Sequence, residues 1–197
     1  LAINEDTGVI DLVLNPQSPD TVYAAAYQRR RTVFGFAGSG PDGGIHKTTD
    51  GGKTWKRLER GLPWASAPTS SDASAKDKRQ EIGRIGLNVY RRDPRIVYAT
   101  IEHENGGTFR SEDHGETWTR MSATNPRPMY YSKIHVDPNN DQRIWVLGAQ
   151  MFYSEDGGKT FNTDRVDRIH GDHHALWINP GDSNHMIVGS DGGIHWS

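Results

Sequence analysis

Hydrophobic and polar positions in this chain alternate over short stretches and never settle into the three-to-four-residue period of a long amphipathic helix. Four apolar runs stand out: Val9 to Leu14, Arg84 to Val89, Ser132 to Val136 and Ala175 to Ile178. Each leads into a turn rich in Pro, Asp and Asn, at 15–20, 91–94, 137–141 and 179–183. Each turn is followed by a β-branched and aromatic run: Thr21 to Ala24, Ile96 to Thr100, Arg143 to Leu147 and His185 to Val188. This pattern predicts a strand, a tight turn and a second strand, four times over.

A third strand completes the comparison between units, at Gly43 to Lys47, Gly106 to Arg110 and Ala149 to Tyr153. The last residues, Gly192 to Ser197, align with Gly43 to Thr48. After the third strand comes a motif of the form [ST]-x-D-x-G-x-T-[WF], at Thr48 to Trp55, Ser111 to Trp118 and Ser154 to Phe161. The aspartates of this motif, Asp50, Asp113 and Asp156, suit a turn because their carboxylates can accept nearby backbone N–H groups. The glycine two residues later tolerates a positive φ, and Trp55, Trp118 or Phe161 then opens a fourth strand with its ring directed inward.

Four strands per unit and no helix-length crossover predict an all-β chain: a β-propeller segment of about four antiparallel blades, joined by these aspartate turns. The blades fall at about 9–60, 84–121, 131–166 and 173–197, and the last lacks its outer strand. Residues 1–4 sit where an outer strand of a preceding blade would finish; either they close a four-bladed ring or the segment belongs to a larger propeller, the reading preferred here. Two stretches fall outside the repeat. These are a loop at 28–40 and a Ser/Ala-rich insertion at 62–81, which its composition marks as flexible.

Composition agrees with many short strands: 22 Gly and 10 Pro among 197 residues, with 34% hydrophobic. A formal charge of -2 gives no general electrostatic reason to bind nucleic acid or an anionic membrane, and no apolar stretch is long enough to insert into a bilayer. With no cysteine, disulfides and thiolate metal sites are excluded, while the compartment stays open.

Together with Asn4 to Gly8, Tyr27 to Arg31, Gly83 to Gly86, Arg127 to Tyr131 and His170 to Trp177, the repeats resemble the bacterial sortilin/VPS10-like BNR-repeat proteins often labelled "glycosyl hydrolase". In such proteins the aspartate turn is called an Asp-box. The resemblance implies an exported protein, extracellular or periplasmic, that binds a glycan or protein ligand on the loop-bearing face of the propeller. Two alternatives stay open: a glycoside hydrolase of sialidase or xyloglucanase type whose acid pair lies partly outside this segment, and a scaffold subunit of a larger assembly. Fold alone does not decide among them.

Residues that break the repeat are the candidates for chemistry, because the recurring Asp-box residues Asp50, Trp55, Asp113, Trp118, Asp156 and Phe161 have a structural role on separate blades. Glu5, Asp6, Glu81 and Asp172 are candidate acids and bases for glycoside hydrolysis, though no local pattern selects a pair. Arg29, Arg30 and Arg31 could grip a carboxylate or phosphate, as in an acidic sugar, and Arg84 and His173, from segments that enter the inner strands, are further ligand candidates. Tyr130, Tyr131 and Trp64 are candidates for stacking on sugar rings. No cofactor is implied beyond a possible metal ion on His170, Asp172 and His174, which share one side of a regular strand, whereas His173 points the other way. His46 and His195 hold equivalent third-strand positions, so packing accounts for them.

Overall fold

The computed structural model describes residues 1–65, 81–163 and 169–197. The described residues form strands and turns, with no helix. The first blade comprises β1 (Thr7–Asn15), β2 (Ser18–Gln28), β5 (Gly44–Thr48) and β6 (Lys56–Arg57), hydrogen-bonded in that order. Between β2 and β5 a separate hairpin projects, β3 (Arg30–Thr32) and β4 (Gly35–Ala37). The stretch expected to be an irregular loop is therefore a paired β-ribbon; Thr32 supplies the turn chemistry, its hydroxyl accepting the Phe34 amide.

The second blade is β7 (Ile85–Val89), β8 (Val97–Ile101), β9 (Gly107–Ser111) and β10 (Thr119–Ser122). The third is β11 (Lys133–Asp137), β12 (Asn140–Leu147), β13 (Met151–Ser154) and β14 (Asn162–Thr163). The fourth sheet has three strands, β15 (His173–Asn179), β16 (Asp182–Ser190) and β17 (Gly193–Trp196). All pairings within these sheets are antiparallel, and the result is a β-propeller architecture of four-stranded blades.

Apolar residues from successive sheets interdigitate and bind blade to blade. Tyr23, Ile45 and Leu58 of the first pack against Leu87, Phe109 and Trp118 of the second. Tyr98 then meets Ile134 and Ile144, and Trp145 and Leu147 meet Leu176 and Val188. The inner strands are stitched by side chains rather than by a backbone ladder: Asp11 Oδ2 accepts the Leu87 amide at 2.9 Å and Asn88 Oδ1 accepts the Val136 amide at 3.4 Å. A bulge between Val9 and Asp11 turns Asp11 toward its neighbour. Gly86 permits the close approach of β11, since a Cβ there would lie 1.9 Å from the Ser132 carbonyl oxygen.

Each Asp-box is a closed set of local bonds. Thr48 Oγ1 donates to Asp50 Oδ1 at 2.7 Å and accepts the Gly52 amide at 3.0 Å, while Thr54 donates its hydroxyl to Asp50 Oδ2 at 2.6 Å. Trp55 Nε1 returns to the Gly52 carbonyl at 3.0 Å. Ser111, Asp113 and Thr117 repeat the arrangement, as do Ser154, Asp156 and Thr160. Left-handed φ values of 89°, 80° and 91° at Gly52, Gly115 and Gly158 explain the glycine of the motif.

Two sequence expectations need correction. Trp118 is buried, and Phe161 packs against the second core cluster, but Trp55 is only half-buried and outside the clusters. The reason is geometric: the ring of one Asp-box fills the space beside the preceding sheet, and no described sheet precedes β1. Leu1 to Asn4 are assigned to no strand, and Asn4 donates its side-chain amide to Asp42 at 2.8 Å. Trp64, offered as a sugar platform, packs against the first core cluster and donates Nε1 to the Leu58 carbonyl at 2.8 Å. Residues 66–80 of the expected insertion lie outside the described residues.

Candidate functional site

The two ends of each sheet differ. In the first blade Val22 pairs with Thr48 near the Asp-box, whereas Ala26 pairs with Gly44 at the other end, where the hairpin and the segments leading into the inner strands converge. Asp50, Asp113 and Asp156 thus lie at the opposite ends of their strands from that loop-bearing face. Their carboxylates are also committed. The Thr54 hydroxyl and amide hold Asp50 well below the ordinary carboxylate range. At Asp156 burial works upward, but the bonds from Thr160 and Ser154 together bring the pKa down to about 2. In a cavity of about 360 Å³ at this end Arg110 is held by Asp141 at 2.6 Å and Asp113 by Thr117 at 2.5 Å.

On the loop-bearing face, Gly40 and Ile82 exchange both backbone bonds at 3.2 Å, which pins the base of the hairpin to the segment preceding β7. This bridge brings Arg84 near the first blade. The result is a cavity of about 280 Å³ lined by Tyr27, Arg29, Arg31, Phe36, Arg84, Met129 and Tyr130. Arg31 of β3 and Arg29, just before it, line the cavity, while Arg30 between them does not, as alternation along an extended chain requires. Arg30 consequently lies outside the cavity and pairs with Asp6 at 3.3 Å. Arg29 stands over the Phe36 ring, 5.5 Å from its centroid. Burial raises the Tyr27 pKa, with Glu102 adding to it and Arg29 and Arg84 opposing, so both guanidinium groups act on one phenol.

Next to it is a larger cavity of about 560 Å³, lined by Glu81, Glu102, Glu104, His103 and Arg120 among others. Glu102 is half-buried; desolvation raises its pKa, although it accepts the Arg84 amide at 2.8 Å and feels the Arg84 charge. Sequence reading missed Glu102 because it follows β8 directly and looks like any polar residue ending a strand. Its signal is tertiary: a Cβ on Gly83 would lie 2.4 Å from the Glu102 carboxylate carbon, so the glycine lets the carboxylate sit close against the backbone entering β7.

Among the described residues no hydrogen bond or ion pair joins any two of the four acids proposed from sequence, and of the four only Glu81 lines this larger cavity. Glu5 is exposed. Asp172 accepts the Tyr131 hydroxyl and pairs with Arg127 at 3.4 Å. The Tyr131 bond is the chief cause of its lowered pKa, which leaves it ionised and unfit as a general acid. Burial, then the same bond, pushes the Tyr131 phenol up to about 12.

The three suggested metal ligands also diverge. Asp172 has a left-handed φ of 59°, so the backbone is irregular just before β15 and the expected common side is lost. His174 Nε2 bonds Asp191 at 2.9 Å, and His170 Nδ1 lies 2.9 Å from the Gly171 carbonyl. Among the described residues no three His, Cys, Asp or Glu side chains converge as metal ligands would. His173, expected to meet a ligand, is 1% exposed and donates its amide to Gly148 at 2.9 Å. Tyr131 is buried as well, whereas Tyr130 stays open at the cavity mouth, 57% exposed, with Arg127 stacked 5.1 Å from its centroid. His46 is buried, its pKa lowered first by desolvation and then by Arg57, and it packs within its blade.

Comparison with known proteins agrees with this architecture. Residues 46–57 match the BNR/Asp-box repeat family. Over 191 residues the chain is 26% identical to xyloglucanase Xgh74A of Acetivibrio thermocellus, covering 96% of this chain and 19% of that protein. The chain therefore spans about a fifth of that relative's length. The crystal structure of a GH74 enzyme from Niastella koreensis superposes with a TM-score of 0.60 at 22% identity, over 94% of this chain and 26% of the other. A structure of YCF48 bound to D1 peptide gives 0.55 at 12% identity, over 100% of this chain and 56% of the other. Both structural likenesses speak to the fold.

Proposed function

We propose that this chain is part of an exported Asp-box propeller, sortilin/VPS10-like in kind, that binds a glycan on its loop-bearing face. The observation that carries this reading is the cavity between the hairpin, Arg84 and Tyr130, which gathers polar and aromatic side chains from three blades in one concave site. Tyr130 and Phe36, 57% and 47% exposed, offer flat apolar surface at its rim, and guanidinium groups offer donors to sugar oxygens. Similarity to xyloglucanases, proteins that act on a polysaccharide, favours a glycan over a protein ligand. Screening the full-length protein against a glycan array should give binding that is lost in Tyr130→Ala with the melting temperature unchanged. Array binding that survives this change, or none at all, would count against the site.

A second reading, glycoside hydrolysis, is favoured by one specific feature: Glu81 and Glu102 line the same cavity, and burial raises the Glu102 pKa as a general acid needs. If it holds, xyloglucan hydrolysis by the full-length protein falls at least a hundredfold in Glu102→Gln. A protein that binds but does not cleave across a polysaccharide panel would leave the binding role alone.

A further inference from the structure

Resting on the glycan-binding reading, we infer that the sugar bound in the cavity between the hairpin and Tyr130 is acidic, with its carboxylate held among Arg29, Arg31 and Arg84. The charge inventory of the walls is the first argument. Among the described residues three guanidinium groups line about 280 Å³, and no aspartate or glutamate does. Arginine stays protonated at any working pH, so the repulsion among the three cannot be relieved by losing a proton.

The nearby acids are accounted for elsewhere. Asp6 is held by Arg30 on the far side of the hairpin strand, at 3.3 Å. Glu102 accepts the Arg84 amide and lines the adjoining cavity, so its charge offsets part of the Arg84 field from behind. Asp172 belongs to Tyr131 and Arg127. Among the described residues Arg29, Arg31 and Arg84 make no ion pair with any carboxylate, whereas Arg30 between them in sequence is held by Asp6. Arg127 adds further positive charge behind the Tyr130 ring.

Size and wall chemistry then narrow the anion. The volume is close to the lower bound of about 300 Å³ for small-molecule sites, which admits a one- or two-ring group and no folded partner. Tyr27, Phe36, Met129 and Tyr130 surround the guanidinium groups with apolar and aromatic surface that fits the face of a pyranose ring. A planar carboxylate matches the fork of a guanidinium, and such charge-assisted bonds are about twice as strong as neutral ones. A uronic acid residue combines both features in one ring. The hairpin is what makes the site: it contributes Arg29, Arg31 and Phe36, and it is an insertion between β2 and β5 that the other blades lack.

The test is calorimetric titration of the full-length protein with a uronate oligosaccharide, its neutral methyl ester, a neutral xyloglucan oligosaccharide and a peptide with a free C-terminal carboxylate. The acid should bind at least tenfold tighter than its ester, and 0.5 M salt should weaken the acid alone. Arg31→Gln combined with Arg84→Gln should remove that preference, while Arg30→Gln, which changes a side chain outside the cavity, should keep it. Arg29→Gln serves as a second variant if the double change lowers the melting temperature. Equal binding of acid and ester, or a preference that survives the arginine changes, overturns the inference. If only the neutral xyloglucan oligosaccharide binds, the acidic ligand fails while the glycan reading stands. If only the peptide binds, or no sugar does, both fail.

Discussion

Asp113 receives the Ser111 hydroxyl at 2.9 Å, the Thr117 amide at 2.8 Å and the Thr117 hydroxyl at 2.5 Å, and its role is complete in those bonds. Asp113→Asn turns one acceptor oxygen into a donor facing other donors. It should lower stability by about 1–3 kcal/mol with the fold retained, measured as a shifted urea midpoint at constant slope. His135 is a pH-dependent case. Burial, helped by the Lys133 charge, depresses its pKa to about 4, and its Nε2 has no hydrogen-bond partner among the described residues. The unfolded imidazole protonates near its ordinary value of about 6.5, so acid favours the unfolded chain throughout the interval between these values. Stability present above about pH 6.5 should decline as pH falls toward 4, by roughly 2–3 kcal/mol from this group. Denaturation at stepped pH should show that slope flatten in His135→Gln. At this scale sequence legibility follows locality: the Asp-box bonds join residues at most four apart, whereas the Asp172 and Tyr131 contact spans 41 positions and no pattern announces it.

Among the elements, the blade strands were legible because each buries one face, which forces a period of two on the sequence. The hairpin β3–β4 was not, because its strands are short and both faces are exposed, with Val33 and Phe34 at 92% and 97% at its tip. Without a buried face there is no alternation to read. The same logic separates the equivalent aromatic residues. Trp118 lies between two sheets and Trp55 beside one, so in this 197-residue chain Trp118→Ala should cost about 3–5 kcal/mol and Trp55→Ala less than half as much. Comparing the two by chemical denaturation checks it; equal losses would mean that Trp55 has a second wall.

For the molecule as a whole, the sheets at the two extremes of the blade series have apolar faces without a described neighbour. On the fourth sheet Trp177, Ile187 and Trp196 stand in register across three strands, 48%, 39% and 78% exposed, while Leu176 and Val188 on the other face are buried. On β1, Leu12 and Leu14 are 51% and 53% exposed. Apolar surface of this kind drives association. This 197-residue chain, purified alone, should therefore sediment as concentration-dependent oligomers. Trp177→Ser with Trp196→Ser should shift it toward monomer; an unchanged distribution would show that these rings do not mediate contact.

By itself the sequence determined the repeated strand order, the aspartate turns and the propeller class, because alternation, turn chemistry and a recurring motif are local and repeat in every blade. It named Arg29, Arg31, Arg84 and Tyr130 but could not join them, nor exclude Arg30, His173 and Trp64 from their company. Only the tertiary structure decided that, since the bridge between Gly40 and Ile82 sets the hairpin beside the second blade and brings these side chains around one cavity. Contacts between residues distant in the chain depend on how blades pack, and packing leaves no period in the sequence to read.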